Sequence, residues 1–455
     1  MDDAPAPTAR ARKRDAGQRI DAGPGGGHIR RRGKSYQVLL FSGTDPVTGR
    51  PNYLTASAKS EPDARKILDK FRVQVAEQKN ARTKATFQYT VEEWLKDHEI
   101  EPTTLEGYKL YLRLHIGPAL GAKPVGKITA RDLEKFYAQL RRCSRRCDGR
   151  PFVEHRVDGE HECRVVKHKR PPGRRPAAGY PPHDCAEKGC QVIECPPHQC
   201  KPLSNSTILK IHFVIQGALA AAFRWDWISS NPAEVAKKPT QPTPQPNPPT
   251  AEQAARIIAA AWQQSPDWAT LVWLVMVTGM RRGEVLALRW HHVDLNAGTL
   301  TIKRNYVRAA GVAYDKDTKT HQERRLALDP ATVQVLKEHR ARYEELADKL
   351  GIEPTDDAYL FSHKPERNRP YSPSATTHRY TRMCAEIGID SHLHALRHYS
   401  ATELLTAGVD LRTVAGRLGH GGGGATTLRV YAAWVGESDR RAAEILGSRM
   451  QRPNR

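Results

Sequence analysis

The apolar positions of the amino-terminal segment follow the pattern of a short sheet and then that of a helix. Residues 36–41 combine apolar and aromatic side chains in the manner of a strand. Residues 45–50 contain the Asp-Pro and Thr-Gly pairs of a turn, and residues 52–55 predict the returning strand. A helix is predicted over residues 61–78. This segment is therefore expected to be a small sheet packed with one helix.

A helical period dominates the next segment, and one long interruption divides it. Thr90 with Glu93, and Thr103 with Glu106, have the spacing of capping boxes and predict two helix starts. The apolar pattern resumes over residues 207–227. Residues 86–238 are thus expected to form one helical domain, split by an insertion at residues 141–203. Four apolar residues share one face of a further predicted helix: Leu133, Phe136, Tyr137 and Leu140.

The carboxy-terminal segment alternates helices with short strands. Residues 239–249 are rich in proline and predict a semi-extended linker. Thr250 and Gln253 then form a capping box that opens a domain over residues 250–455. A buried helix is predicted over residues 268–277. Three strands are predicted at residues 300–303, 325–328 and 359–361.

Residues 1–27 lack an apolar period and predict a disordered basic tail. The sheet-and-helix segment follows at residues 28–85. Together with the helical and mixed segments, this pattern indicates an α+β chain of several domains.

The charge of the chain favours a polyanionic partner. Lys and Arg number 72 against 50 Asp and Glu, a formal net charge of +22. The excess recurs along the chain: residues 1–85 hold 18 basic and 9 acidic residues, and residues 141–201 hold 14 and 8. A recurring excess argues for a nucleic acid rather than for ordinary solubilising charge.

The sequence predicts a cytoplasmic protein without a membrane partner. No apolar run approaches the ~18 residues of a membrane span. The amino terminus lacks the charged and apolar regions of a signal peptide. In the cytosol, clustered cysteines bind metal more often than they form disulfides.

The insertion holds seven of the eight cysteines, and it also contains His161, His183 and His198, each two residues before a cysteine. Thiolates and imidazoles at such spacing suit tetrahedral zinc, and metal would explain how so polar a segment folds. We expect one or two structural zinc ions here; a redox or disulfide role and incidental cysteines are the alternatives. The candidate ligands are Cys143, Cys147, Cys163, Cys185, Cys190, Cys195 and Cys200. The eighth cysteine, Cys384, lies apart on a predicted helix.

The polar residues near the carboxy terminus form a set suited to phosphoryl transfer. Arginines bind phosphate oxygens, imidazoles hold or move protons, and a phenol oxygen can attack phosphorus. Holding a phenol as phenolate at pH 7 costs about 4 kcal/mol, so a base or positive charge must offset this cost. The candidates for these roles are Arg281, Lys319, His394, Arg397, His420 and Tyr431.

Residue chemistry alone leaves alternatives at two of these positions, and it also permits a topoisomerase. The rivals of the nucleophile are Tyr53, Tyr380 and Tyr399. The rivals of Lys319 are Lys303, Lys316 and Arg324. His398 is interpreted as a structural residue.

The carboxy-terminal domain resembles a tyrosine recombinase of the phage-integrase type. The matching pieces, in this order, are Thr-Gly-x-Arg-x-x-Glu at 278–284, Lys-Thr at 319–320, His-x-Leu-Arg-His at 394–398, Leu-Gly-His at 418–420, and Tyr431. The spacing from the last histidine to the tyrosine is slightly longer than in many members.

The resemblance implies a role for each candidate residue. Arg281 and Arg397 would clamp the phosphate, and His394 would act as base or phosphate donor. Lys319 would be the general acid and His420 a further phosphate donor. Tyr431 would be the nucleophile that forms a 3′-phosphotyrosyl link, and Glu284 would support the site.

The resemblance also implies the fold class: an α+β multidomain protein. It would have a small β-sheet-plus-helix arm-binding domain at residues 28–85, a helical core-binding domain with the Cys-rich insertion at 86–238, and a mixed, mainly helical catalytic domain. The candidate DNA contacts of the arm-binding domain are Arg30, Arg31, Arg32, Lys34 and Arg50. The sequence leaves open whether the face with Val38 or the face with Leu39 contacts DNA.

The expected function is that of a phage or mobile-element integrase. It would act as a tetramer on two double-stranded DNA attachment sites, through a Holliday junction and without a catalytic cofactor. A factor that controls the direction of excision is a further candidate partner, and the nucleoid is the expected location. The alternatives are a resolvase or topoisomerase-like relative, and a non-catalytic, zinc-containing DNA-binding regulator.

Overall fold

The structure is a computed structural model. It describes residues 19–21, 26–78, 80–170, 176, 179–241, 246–309, 311–317 and 323–420. The chain divides into two compact units, Met1–Pro242 and Thr243–Arg455. This division falls within the segment predicted as a proline-rich linker.

An antiparallel four-stranded sheet and one helix open the first unit. The elements are β1 Arg19–Ile20, β2 His28–Arg32, β3 Ser35–Thr44, β4 Pro51–Ala58 and α1 Glu61–Ala76. Each strand pairs with the next along the chain. The strands predicted at residues 36–41 and 52–55 and the helix predicted at 61–78 are confirmed. β1 and β2 precede them, and β1 lies within the segment predicted as a tail.

The packing of α1 decides which face of this sheet stays open. Val38 and Leu40 are buried in one cluster with Leu68 of α1. The opposite face carries Phe41 and Tyr53, which are 51% and 40% exposed and whose ring centroids lie 5.7 Å apart. The face with Gln37, Leu39 and Phe41 is therefore the one available to a partner.

A helical bundle forms the remainder of the first unit, apart from the insertion. Its elements are α2 Phe87–Asp97, α3 Pro102–Tyr111, a π-helical continuation Leu112–Gly121, a 3₁₀ turn Val125–Lys127, α4 Ala130–Arg142, α5 Asn205–Arg224 and α6 Pro232–Val235. The predicted apolar face of α4 is confirmed, because all four of its residues are buried in the same cluster as the apolar side of α5.

Two helix starts predicted in this bundle are wrong. Thr86, not Thr90, is the N-cap of α2, and its side-chain oxygen accepts from the N–H of Tyr89. Thr90 is buried inside the helix, where its hydroxyl donates to the carbonyl of Thr86. α3 begins at Pro102, because proline at the first helical position needs no partner for an N–H. In both cases an earlier residue fits the helix terminus better than the predicted box does.

Helix α5 is long and apolar enough to cross a membrane by length and composition alone. More than half of its apolar window is buried, and its buried residues belong to the core of the helical bundle. This helix is therefore interpreted as the core helix of the bundle.

The insertion contributes one small hairpin between α4 and α5. Strand β5, Arg164–Lys167, pairs antiparallel with β6, Gln191–Glu194. Seven of the eight residues in these two strands are exposed. The hairpin therefore has no apolar layer of its own to stabilise it.

The second unit packs helices and short strands around one buried helix. The elements are α7 Ala251–Gln264, α8 Pro266–Thr278, α9 Arg282–Leu286, a 3₁₀ turn Trp290–His292, β7 Val293–Asp294, β8 Thr299–Ile302, β9 Arg304–Ala309, β10 Val312–Asp317, β11 Arg324–Ala327, α10 Pro330–Lys349, α11 Pro373–Glu386, α12 Leu393–Thr406 and α13 Leu411–Leu418. The buried helix predicted at residues 268–277 is confirmed as α8. Thr250 and Gln253 form the predicted capping box of α7.

The strands of this unit agree with the prediction only in part. β8 and β11 are confirmed and pair with each other, while the hairpin of β9 and β10 between them has no counterpart in the prediction. The strand predicted at residues 359–361 is wrong, because Tyr359 forms only an isolated bridge with Arg289. The carbonyl of Leu360 instead accepts a hydrogen bond from the imidazole of His339, at 2.7 Å.

Candidate active site

The predicted phosphate-binding residues lie at the ends of three helices of the second unit. Arg281 is the N-cap of α9, directly after the turn that ends α8. His394 and Arg397 lie in the first two turns of α12. His420 follows the residue that ends α13. The helix ends meet, so residues that are far apart in the sequence become neighbours.

Hydrogen bonds connect these helix ends directly. Arg397 is 2% exposed, and its Nη1 donates to the carbonyl of Gly279 at 2.6 Å. The Nη2 of Arg281 donates at 3.1 Å to the carbonyl of Gly419, the residue before His420. Both arginines are thus held by main-chain oxygens, which orients their guanidinium groups before any substrate arrives.

Gly279 permits this close approach. Its φ of 65° lies in the left-handed region that favours glycine. A Cβ atom at this position would lie 2.4 Å from Cδ2 of Leu418 and 3.3 Å from Oγ of Ser400. A larger residue would therefore push α12 and α13 away from the end of α8 and separate the site residues.

Glu284 anchors the arginine side of the site and is itself 2% exposed. It accepts hydrogen bonds from the main-chain N–H and Nη1 of Arg281, both at 2.8 Å, and from Nη2 of Arg324 at 2.6 Å. Burial by itself raises the pKa of this carboxyl, but the hydrogen bond and charge of Arg324, followed by those of Arg281, bring the pKa below its ordinary value. Glu284 is therefore a carboxylate that orients two guanidinium groups.

Arg324 is a residue of this site that sequence reasoning named only as a rival of Lys319. Its side chain is 11% exposed, and its Nε donates to the carbonyl of Arg417 at 3.1 Å. It thereby connects β11 to both Glu284 and α13. Nothing in its local sequence marks this role, because Glu284 lies 40 residues earlier in the chain.

The imidazoles of the site are neutral at pH 7. His394 keeps part of its surface open to solvent, and its ring centroid lies 4.9 Å from that of His398. Burial, then the charges of His398 and Arg397, lower the pKa of His394 to about 4. Burial and neighbouring cations likewise lower the pKa of His398 and His420 to about 4. The arginines therefore supply the positive charge, while the imidazoles can exchange hydrogen bonds or accept a proton.

Two of the six predicted catalytic residues, Lys319 and Tyr431, lie outside the described residues. The glycine tract at residues 421–424 lies outside them as well. Lys319 belongs to the connection from β10 to β11, which ends at Arg324 beside Glu284. The chain after His420 leads to Tyr431.

We expect Glu284→Gln to destabilise the second unit and to slow its reaction. The neutral amide would leave the largely buried Arg324 without its counter-ion, and breaking a buried pair from one side costs about 3–5 kcal/mol. Because the pKa of Glu284 is depressed, its stabilisation is present above the ordinary carboxyl pKa and is lost as the pH falls through the lower, folded-state value. Thermal unfolding of the full chain at several pH values measures the loss of stability and its pH dependence, and single-turnover DNA cleavage measures the rate.

Glu61→Gln is the matched control, because it removes an exposed ion pair with Arg65 on α1. Such pairs contribute about 0–1 kcal/mol, so this variant should unfold like the unaltered chain. If Glu284→Gln also unfolds unchanged, Glu284 does not hold the two arginines.

The insertion brings its cysteines and histidines into three groups of four. Within each group, one potential ligand atom from every residue lies within 4.8 Å of the others. The groups are Cys143, Cys147, His198 and Cys200; His155, His161, Cys163 and Cys195; and His168, His183, Cys185 and Cys190. All seven predicted cysteines are included, together with His155 and His168, which sequence reasoning did not select.

The predicted DNA contacts of the amino-terminal sheet are all exposed. Arg30 pairs with Gln37 in the sheet register, which places it on the open face, and Arg32 follows on the same side. Arg31 alternates to the opposite side. Lys34 lies in the turn between β2 and β3, and Arg50 directly precedes β4.

Known protein families match both units of the chain. Residues 250–434 match the phage integrase family, and residues 86–141 match the phage integrase N-terminal SAM-like domain. The chain belongs to the phage integrase family. This confirms the family and the fold class that the sequence motifs predicted. Tyrosine recombinases of this family cut and rejoin DNA strands without a cofactor, and the chain is an enzyme of this class.

Individual relatives have low sequence identity to this chain, but their alignments cover half of it or more. The ICEBs1 integrase of Bacillus subtilis (strain 168) is 21% identical over 401 residues, which span 87% of this chain and 92% of that protein. Tyrosine recombinase XerA of Thermococcus kodakarensis is 26% identical over 51% of this chain and 74% of its own. A Tn1549 transposon integrase, solved in complex with transposon right end DNA, shares the fold with a TM-score of 0.56 at 17% identity. That match covers 80% of this chain and 99% of that one.

Proposed function

We propose that this integrase-family protein is a site-specific DNA recombinase that integrates a phage or mobile element. It cuts and rejoins double-stranded DNA attachment sites through a 3′-phosphotyrosyl intermediate and a Holliday junction, as a tetramer of identical chains. The observation that supports this best is the convergence of Arg281, Arg397, His394 and His420 above the Glu284 anchor. This set fits a phosphodiester, because fixed positive charge meets neutral proton carriers in one place.

In the proposed reaction, Arg281 and Arg397 bind the non-bridging oxygens of the scissile phosphate, where charge increases in the transition state. The phenol oxygen of Tyr431 attacks phosphorus and forms the new ester. The 5′ oxygen leaves and takes a proton from Lys319. The number of ester bonds is unchanged, so the step needs no external energy source.

Phosphate binding shifts His394 and His420 towards their protonated forms. In the free protein, neighbouring cations contribute to the low pKa values of His394 and His420. A bound phosphate adds negative charge and favours the imidazolium form. His394 thereby becomes a better acceptor for the proton of Tyr431 once DNA is in place. His420 donates a hydrogen bond to the same phosphate.

The open face of the amino-terminal sheet is proposed as a second DNA contact. Arg30 and Arg32 lie on the same face as exposed Phe41 and Tyr53, further along the strands, so this face combines phosphate-binding and apolar groups. Lys34 and Arg50 lie in loops at opposite ends of β3 and extend the positive surface. Arg31 lies on the opposite side of β2 and is exposed there. Such contacts predict binding that weakens steeply with salt.

We place the reaction on the nucleoid in the cytoplasm, and we propose a factor that controls the direction of excision as an additional partner.

A resolvase is the alternative function. Two plasmids, each carrying one DNA segment that flanks the gene, distinguish the two. An integrase joins the plasmids at a short shared sequence, and Arg281→Ala is the inactive control. Recombination only between two sites on one plasmid would instead identify a resolvase.

We also propose that the insertion holds structural zinc. Cysteine and histidine are the ligands that zinc prefers in such sites, and the three groups contain no other residue type. Nε2 of His183 lies 3.0 Å from Sγ of Cys190, and Nε2 of His161 lies 3.2 Å from Sγ of Cys195, so each pair converges on one point as two ligands of one ion do. Elemental analysis of the purified chain tests this proposal, and a chain without zinc would refute it.

A further inference from the structure

The ligand groups of the insertion use its entire supply of cysteine and histidine. Residues 143–200 contain seven cysteines and five histidines. The three groups of four take all twelve, and no residue is shared between groups. Structural zinc binds four ligands, so twelve ligands without a remainder correspond to three ions.

The distances within each group are close to those of a tetrahedron around zinc. Zn–S bonds of ~2.3 Å and Zn–N bonds of ~2.0–2.1 Å put tetrahedral ligand atoms about 3.3–3.8 Å apart. In the first group, Sγ of Cys147 and Cys200 are 3.3 Å apart, and Sγ of Cys200 lies 3.7 Å from Nε2 of His198. A sulfur separation of 3.3 Å is far longer than the ~2.05 Å of a disulfide.

The other two groups show the same spacing. Nδ1 of His155 lies 3.6 Å from Sγ of Cys163, and Nε2 of His161 lies 3.2 Å from Sγ of Cys195. In the last group, Nδ1 of His168 is 3.3 Å from Nε2 of His183, and the remaining contacts range from 3.0 to 3.9 Å.

Two histidines are oriented for metal binding by their second ring nitrogen. His198 faces its group through Nε2, and its Nδ1 lies 2.7 Å from Oε1 of Glu154. His161 faces its group through Nε2, and its Nδ1 lies 3.0 Å from the carbonyl of Gly159. Metal-binding histidines are commonly held in this way by a carboxylate or a carbonyl. An oxygen beside Nδ1 accepts a proton held there, which makes Nε2 the metal-binding nitrogen of both imidazoles.

The three groups follow one another along the hairpin. We name them the root site (Cys143, Cys147, His198, Cys200), the middle site (His155, His161, Cys163, Cys195) and the distal site (His168, His183, Cys185, Cys190). Cys163 and Cys195 flank one end of the β5–β6 ladder, and His168 and Cys190 flank the other. Between root and middle sites, the N–H of Glu154 donates to the carbonyl of Pro196. The sites are therefore nested, and each closes a smaller loop than the one before.

The described residues of this segment form no apolar core that could stabilise it in place of metal. Among the described residues between 144 and 202, none is buried, and Phe152, Val157 and Val192 are 40%, 57% and 46% exposed. A segment of this size without a core needs disulfides or metal to fold. The structure leaves its thiols unlinked.

We infer that the insertion binds three zinc ions, one each in the root, middle and distal sites. The root site has a Cys₃His ligand set, and the other two have Cys₂His₂ sets. This inference rests on the proposal of structural zinc and extends it to the number of ions, their ligands and their order.

The root site also completes the helical bundle. Cys143 ends α4 and is 3% exposed. Directly beside it, the N–H of Ser144 donates to the carbonyl of Lys201 at 2.8 Å, and the N–H of Leu203 donates to that of Leu140 at 3.0 Å. Zinc at the root site thus joins the end of α4 to the start of α5. The middle and distal ions stabilise only the part of the insertion beyond it.

The test is the zinc content of the full chain and of paired variants, measured by elemental analysis and native mass spectrometry after gel filtration. The unaltered chain should hold three ions. The distal pair Cys185→Ser and Cys190→Ser should hold two and keep the unfolding temperature of the helical bundle. The root pair Cys147→Ser and Cys200→Ser should lose at least one ion and lower that temperature. Cys384→Ala, in the second unit, is the control and should hold three.

The number of bound ions distinguishes a failure of the three-site arrangement from a failure of the zinc proposal. A chain with no zinc overturns both. One or two ions in the unaltered chain leave the zinc proposal standing and overturn the three-site arrangement. If the variant with Cys185→Ser and Cys190→Ser still holds three ions, the ligand assignment is overturned. If the root pair fails to fold, the distal pair still decides, because its ligands follow the end of the β5–β6 ladder that is farther along the chain from α4 and α5.

Discussion

The Tyr431→Phe chain will form no covalent complex with a nicked attachment-site DNA, whereas the unaltered chain will accumulate one. The change removes only the attacking oxygen. Loss of a nucleophile costs about 10⁴-fold or more in rate, so the adduct should fall below detection. DNA affinity should stay unchanged, because it comes from phosphate contacts elsewhere on the chain. Denaturing electrophoresis of the protein–DNA mixture measures the adduct, and a mobility-shift titration measures the affinity.

Other tyrosines offer matched controls for this experiment. Tyr380 is fully buried, its hydroxyl lies 3.2 Å from Oγ of Ser391, and burial raises its pKa, so it is poorly placed to attack DNA. Tyr399 is partly buried against the core of the second unit, and burial raises its pKa too. Tyr399→Phe should therefore form the adduct at the normal rate. An adduct that persists in Tyr431→Phe would show that another residue is the nucleophile.

Arg397→Lys should slow DNA cleavage about 10²–10³-fold while weakening DNA binding far less. Losing one preorganised donor to a developing oxyanion has an effect of this size. Arginine can hold the Gly279 carbonyl with one nitrogen and present others to the phosphate, because its guanidinium is a planar fork. Lysine has the same charge but a single ammonium group. Single-turnover cleavage at saturating DNA isolates the chemical step.

Two further variants separate catalysis from folding. Arg281→Lys alters the other clamp residue, whose side chain is 41% exposed. It should slow cleavage without the loss of folding stability that a substitution at a buried residue causes. Arg282→Lys alters an exposed neighbour that donates to the hydroxyl of Thr377, and it should cleave normally. Equal cleavage by Arg397→Lys and the unaltered chain would remove Arg397 from the clamp.

Local sequence predicted elements well where a few neighbouring residues decide the structure. The face of α4 and the capping box at Thr250 depend on contacts three or four residues apart, and both are confirmed. The box at Thr90 failed because Thr86 offered a competing cap for the same helix. The strand at residues 359–361 failed because a distant histidine bound the carbonyl that a strand partner would use.

For the site, too, the sequence predicted the reacting residues, whereas contacts between distant segments became apparent only in the structure. The order of its motifs predicted the family and six catalytic residues, because phosphoryl transfer needs particular side chains whatever their distance in sequence. Glu284 was expected to support the site, but its partner Arg324 became apparent only from the packing of β11 against α9 and α13.

By itself, the sequence determined the residue types, the local elements and the class of chemistry. It showed that seven cysteines lie together, but spacing could not divide twelve cysteines and histidines among three groups, since each group joins residues from both ends of a long loop. It left the open face of the amino-terminal sheet undecided, since both faces of β3 carry apolar residues. Tertiary structure decided these points, because pairing and burial depend on which distant segments meet, and the packing of α1 and the closure of the insertion bring those segments together.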